Sequence, residues 1–269
     1  MTAMPAVFIS HGSPTFALEP GRAGPQLAAL GRQLPRPRAI VVVSPHWMTR
    51  GVGVTGALRP QTIHDFGGFA PELYRIQYPA PGDPVLAQRI LLLLTQAGWP
   101  AGIDPERGLD HGAWVPLLHL APDADIPVLQ VSMPVGLDGP AAYALGQALA
   151  PLADEGVLVV GSGSLTHNLY ELQREGGEEA PYAREFARWI RAAVQAGDAA
   201  RLVHAMAQAP HAQRAHPTDE HYLPLVVAAG AARAPLPATV IEGGIELGVL
   251  SMDSFVFGRS LALEAASAA

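Results

Sequence analysis

Histidine occurs ten times in this chain, and three copies stand where a β-type run ends. Val7–Ser10 empties into His11 in "VFISHGSP"; "IVVVSPHWM" places His46 just beyond another apolar run; "VLVVGSGSLTHNL" brings His167 after a Gly-Ser-Gly-Ser stretch. In an open α/β sheet the carboxyl ends of the strands gather loops and helix N-termini around one crevice, and ligands bind there. If the three strands are neighbours, three imidazoles meet on one rim. His64 in "TIHDFGG" and His111 in "GLDHGAW" sit in loop contexts, and "HPTDEHYLPL" adds His216, Asp219, Glu220 and His221 around a helix start. Taken singly, a histidine after a strand is more often a hydrogen-bonded loop residue than a ligand. Taken together, neutral imidazoles plus oxygen ligands are what a divalent ion needs in a chain without thiolates. His119 is assigned to packing, His204 to a solvated helix end and His211 to a loop.

Composition narrows the chemistry further. The chain has no cysteine, which excludes disulfides, thiolate metal sites and a cysteine nucleophile. It has no lysine either, which removes Schiff-base and P-loop chemistry. The stretch Gly161–Ser164 lacks the spacing of a nucleophile elbow. It is either a tight strand-to-helix turn or a device that brings His167 and a backbone N–H close to a ligand. A net charge of −7 with no basic cluster gives no footprint for nucleic acid or anionic lipid, so neither partner is expected. The beginning "MTAMPAVFISHG" carries no basic leader and runs such as "ILLLL" are too short to span a bilayer. A soluble cytoplasmic protein is expected.

The elements that must position these histidines are legible as alternating runs. β-type segments recur at Ala6–Ser10, Ile40–Ser44, Val128–Ser132, Val157–Gly161 and Thr239–Glu242. Helical periodicity occupies about Gly24–Gln33, Pro84–Ala97, Pro140–Ala153, Pro181–Ala196 and Glu220–Ala231. Pro224 cannot donate to the carbonyl of Glu220, so the last of these should kink near His221. The β-runs are continuously apolar, as buried parallel strands are. The expectation is an α/β fold in one domain over residues 1–269. Its central, mostly parallel sheet has helices on both faces, and the metal site lies at the carboxyl edge of the strands. Apolar residues make up 49% of the chain, enough for a sizeable core. The stretch Met48–Asp83 reads as a long irregular loop, and its aromatics, Phe66, Phe69, Tyr74 and Tyr78, suggest that it lines something.

Together "FISHGSP", "VVVSPHW", "IHDFGGFAPELY", "LDHGAWVPL", "GSGSLTHNL" and "HPTDEHYLPL" resemble the LigB-like class III extradiol ring-opening dioxygenases, in the DOPA 4,5-dioxygenase-like branch. The resemblance runs from Val7 to about Ala231, with "SMDSFVFG" also similar. It implies a non-haem Fe(II) enzyme that opens a catechol beside its two hydroxyls, inserts both atoms of O₂ and releases a muconic semialdehyde-type product. On this resemblance His11, His46 and His221 are metal ligands, His167 is an acid–base histidine, and His111 is a second catalytic histidine facing the substrate. His64 and Phe66 belong to the substrate loop, and Trp114 or Trp47 offers a ring to stack on the catechol. The better-known LigB pattern completes its triad with a carboxylate. Here that position is His221, with Glu220 just before it, a three-nitrogen set that Zn²⁺ also fills. The other readings of the same residues are a zinc hydrolase, with His167 or Glu220 as base, and a non-catalytic interaction protein of the superfamily.

Overall fold

The computed structural model describes residues 3–173 and 178–261; the ends of the expected 1–269 unit lie outside them. Strand β1 (Ala6–Ser10) leads through helix α1 (Ala23–Gln33) to β2 (Ala39–Thr49) and β3 (Val52–Thr55). Helix α2 (Pro84–Gln96) precedes β4 (Ala101–Asp104), α3 (His111–Leu120) precedes β5 (Val128–Pro134), and α4 (Gly139–Leu149) precedes β6 (Val157–Gly163). Helix α5 (Pro181–Gln195) opens a helical stretch of short α6 (Ala199–Val203), α7 (Ala205–Gln208) and α8 (Ala212–Ala215), ending in α9 (Leu223–Ala231). Strands β7 (Ala238–Ile241), β8 (Ile245–Glu246), β9 (Leu250–Ser251) and β10 (Ser254–Phe257) follow.

Among the described residues one eight-stranded sheet runs β4-β3-β5-β2-β6-β1-β10-β7, and β8 pairs with β9 apart from it. The four central strands, β5, β2, β6 and β1, are mutually parallel, while β10 and β7 add an antiparallel edge. Burial on both faces explains the continuous apolar runs. Phe8, Val41 and Val43 enter a core shared with α2, α4, α5 and α9, whereas Val7, Ile9, Ile40 and Val42 enter one shared with α1 and α3. Each such fully buried side chain contributes roughly 1.5–3 kcal/mol of burial, which fixes strand register against a one-residue slip. Asp83 and Asp138 cap α2 and α4 by accepting from Leu86 N and Ala141 N, both at 2.9 Å, with a proline in each first turn.

Several expectations need correction. The stretch Met48–Asp83 is not wholly irregular, because β2 runs on to Thr49 and β3 follows at once. Strands β3 ("VGVT") and β4 ("AGID") carry a glycine each and too few apolar residues to announce themselves. His111 opens a helix rather than lying in a loop. The kinked helix from Glu220 does not form: Asp219–Tyr222 is a turn, α9 begins at Leu223, and Pro224 sits harmlessly in its first turn.

Candidate active site

Strand order puts β2, β6 and β1 side by side, so His11, His46 and His167 do share one edge. Ser10 pairs with Gly163, and His11 N–H extends the ladder by donating to Gly163 O at 2.8 Å. Gly12 then turns the chain with φ +62°, where a Cβ would also press on Met252. His46 owes its direction to an irregularity. β2 pairs with β5 at Val43↔Val131 and again at Met48↔Met133, so Ser44–Trp47 bulge out against Ser132 alone.

The Gly-Ser-Gly-Ser stretch is not a turn, since β6 runs through to Gly163. Its glycines make room for the His221 segment: a Cβ on Gly161 would collide with Pro224 O, and one on Gly163 with His221 O. Ser164 N–H donates to that same His221 carbonyl at 2.9 Å. Gly112 serves the same end in α3, because a Cβ there would strike Ser44 Oγ and crowd His46.

Five imidazoles gather as a result. Ring centroids lie 5.1 Å apart for His11–His46, 5.5 Å for His11–His221, 5.1 Å for His46–His221 and 3.9 Å for His46–His111. His167 stacks on His221 at 3.5 Å with planes 9° apart. One ring nitrogen from each of His11, His46 and His221 lies within 4.8 Å of the other two.

Hydrogen bonding decides which nitrogens point inward. Pro116 lies inside α3 and has no N–H for Gly112 O, four residues earlier, so that carbonyl takes the Ser162 hydroxyl proton instead. Ser162 Oγ therefore accepts from His11 Nδ1 at 3.0 Å, and His11 Nε2 is left with its lone pair. His221 Nδ1 likewise donates to Glu220 Oε1 at 3.1 Å, leaving Nε2 buried and without a partner. His46 turns Nδ1 toward Asp65 Oδ2 at 3.7 Å and Nε2 toward His11 Nε2 at 3.2 Å. Two nitrogens bound to one ion at about 2.0–2.1 Å stand roughly 3.0–3.4 Å apart, so this spacing suits a shared cation. The donor set thus fits a divalent metal, which His11, His46 and His221 could hold.

Burial, and then repulsion among the rings, drives His11 and His221 well below the usual histidine range. Burial and His111 lower His46 to about 3, against the opposing pull of Asp65. Burial also lowers His167, with Glu220 opposing. Neutral imidazoles result at physiological pH, the form that ligates metals and accepts protons. Burial pushes Asp65 up, but its hydrogen-bonding and electrostatic interactions with His111 outweigh this and hold it at about 2.

The remaining expected residues fall into two groups. Phe66 borders the cluster, its ring 5.6 Å from that of His111. His64 stands one layer back, bonded through Nε2 to Ile76 O at 3.0 Å and packed on Phe66 and Trp114. Trp114 is fully enclosed and donates Nε1–H to Ile63 O at 2.9 Å, so it braces the loop from behind instead of offering a stacking face. Trp47 points to β3, against Gly53 and beneath Arg107. His119 is a packing residue as expected, bonded to Phe16 O, and His204 and His211 lie on the surface. Surface cavities of about 420, 510 and 740 Å³ lie away from the cluster, two beside Arg36 and Pro37 and one against β3 and β4. We place the chemistry at the histidines, because those cavities bring no comparable donor set together. Ser162 and Asp65 escaped sequence reasoning; the one usable signal was Pro116, whose missing N–H frees a carbonyl beside the site.

The model of the family described as the catalytic LigB subunit of aromatic ring-opening dioxygenase matches residues 5–243. A protein named 4,5-DOPA dioxygenase extradiol from Escherichia coli (strain K12) is 43% identical over 261 residues, 96% of each chain. Its namesake from Beta vulgaris is 42% identical over 254 residues, covering 93% of this chain and 95% of that one. The crystal structure of an uncharacterized protein from Escherichia coli K12 superposes with a TM-score of 0.78 at 36% identity, covering 95% of this chain and all of that one. A histidine cluster at the carboxyl edge of such a sheet and likeness over nearly the whole chain agree: the protein belongs to the LigB family of aromatic ring-opening dioxygenases and is an enzyme of the extradiol, ring-cleaving kind.

Proposed function

We propose that the enzyme opens the ring of a small catechol with O₂ to a muconic semialdehyde-type product, using Fe(II) held by His11, His46 and His221. The observation that carries this reading is the convergence of the Nε2 atoms of His11, His46 and His221, whose Nδ1 atoms meet Ser162 at 3.0 Å, face Asp65 at 3.7 Å and meet Glu220 at 3.1 Å respectively. Such an ion, when bound, would acidify a catechol hydroxyl and bring the substrate and O₂ to one centre.

The chain's own residues supply the rest. His167, kept neutral by burial and stacked on His221, accepts a catechol hydroxyl proton and returns it as the ring opens. His111, with Nδ1 directed at Asp65, offers Nε2 to the substrate's second hydroxyl. Phe66 forms an apolar wall for the aromatic ring, with His64 and Trp114 supporting it. Relatives named for DOPA make a DOPA-like catechol the first substrate to try. Among the described residues no helix is long and apolar enough to cross a membrane. A cytoplasmic enzyme without nucleic-acid or membrane partners completes the reading.

The test is anaerobic reconstitution with ferrous iron, followed by a catechol and air. O₂ uptake and a yellow ring-opened product are expected within a panel of DOPA, caffeate and protocatechuate. Absence of both across the panel, with ester or amide hydrolysis by zinc-loaded protein, would replace this reading with a zinc hydrolase built on the same three nitrogens.

A further inference from the structure

Asp65 lies in the loop between β3 and α2 and belongs to none of the strands or helices that carry the histidines. Its carboxylate nevertheless reaches three groups. Oδ1 accepts from the His111 backbone N–H at 2.9 Å and stands 3.0 Å from His111 Nδ1; Oδ2 faces His46 Nδ1 at 3.7 Å. The His111 Nδ1 approach is bent away from a linear hydrogen bond, yet that atom is buried with no other partner. Helix α3 leaves this role open. Its own N-cap, Asp110, makes no capping bond and turns to Gln130, whose Nε2 it accepts at 2.8 Å. The first N–H of α3 is therefore capped from Asp65, 46 residues earlier in the chain.

Building on the metal-centre reading above, we propose that Asp65 is a positioning residue that sets the tautomer of His111 and, through its charge, biases His46 toward Nδ1–H when a metal occupies its Nε2. An ionised carboxylate only accepts, so it favours Nδ1–H and a bare Nε2 on His111, whose Nδ1 lies 3.0 Å away, and at 3.7 Å it favours the same form of His46 through its charge alone. For His46 that lone pair is the one directed at the metal. For His111 it is the one available to the substrate, and the Asp65 bond to the helix N–H fixes where that ring sits. One side chain thereby ties the loop that carries Phe66 to both the metal ligand and the substrate-facing histidine. Carboxylate–histidine pairing behind a metal ligand orients the ring and raises its basicity, and losing such a partner typically weakens metal binding about 10–100-fold.

The experiment uses full-length, metal-free protein labelled with ¹⁵N-histidine. Long-range ¹H–¹⁵N spectra should report an Nδ1–H, Nε2-bare ring for His111. In Asp65→Ala the His111 ring should shift toward the Nε2–H form or a mixture. Zinc affinity by chelator competition should fall about 10–100-fold in Asp65→Ala. Asp65→Asn keeps an acceptor of the same shape and should recover most of the tautomer and part of the affinity, which loss of folding alone would not produce. Wild-type tautomers with zinc affinity unchanged within about twofold in Asp65→Ala would overturn the proposal. Should no catechol turn over in the wild type, the ring-opening reading fails by itself, and the tautomer and zinc measurements still decide the role of Asp65.

Discussion

Gly163→Ala perturbs the candidate centre without touching a histidine side chain. Gly163 ends β6 directly beneath the His221 carbonyl, and an added Cβ would overlap that oxygen. Restoring ordinary contact requires the two to part by about 1 Å. The strand is held in its ladder by β1, from Ala6↔Val159 to Ser10↔Gly163, so the Asp219–Tyr222 turn must be the part that yields. Metal–nitrogen distances tolerate roughly 0.2 Å, so a displacement of that size in effect removes one of three ligands. Zinc affinity is expected to fall about 100-fold or more, near 3 kcal/mol, beside about 1–3 kcal/mol of overpacking cost to the fold. Gly161→Ala is the companion variant, because its Cβ meets Pro224 O, inside α9 and past the His221 turn. It should cost similar stability and less than about tenfold in affinity. Chelator competition with zinc gives the affinities, and thermal unfolding monitored by circular dichroism gives the stabilities. Gly163→Ala retaining wild-type affinity while destabilised as much as Gly161→Ala would refute the reasoning.

Three other outcomes are expected. His11→Ala should release the metal, whereas His167→Ala should keep it and lose turnover, as metal analysis beside O₂ uptake would reveal. Ser162→Ala frees Gly112 O and His11 Nδ1 together, and should weaken zinc binding about tenfold with at most about 1–3 kcal/mol lost in urea unfolding. His216 is wholly buried; burial lowers it to about 4 although its bond to Leu165 O works the other way. Its folded value lies below the unfolded 6.5, so its contribution is full above about pH 6.5 and is lost as pH falls toward 4. The amount is at most about 3 kcal/mol, and the stability of His216→Asn should depend less steeply on pH over that window.

Much of the frame was legible in the chain itself. The run "AVFIS" and the apolar parts of β2, β5 and β6 declare buried parallel strands, because burial on both faces demands an unbroken apolar stretch. Proline and aspartate at the starts of α2 and α4 mark local capping, which depends on residues three apart and so is written in sequence. The motif order also placed His11, His46, His111, His167 and His221 as candidates. Antiparallel β10 went unread, since its four residues, "SFVF", are specified by pairing with β1 and β7 and carry no pattern long enough to stand out.

What only tertiary structure decided is which nitrogen of each ring points where. Ser162 meets His11 across 151 residues, and it accepts from that ring only because Gly112 O has claimed its proton. Asp65 meets His111 because a loop folds over the start of a helix, and His221 reaches β6 because two glycines leave no side chains in the way. Local propensity chooses elements over a few residues. The protonation pattern of a metal site instead depends on contacts that exist only after strand order and register have brought distant segments within hydrogen-bonding distance.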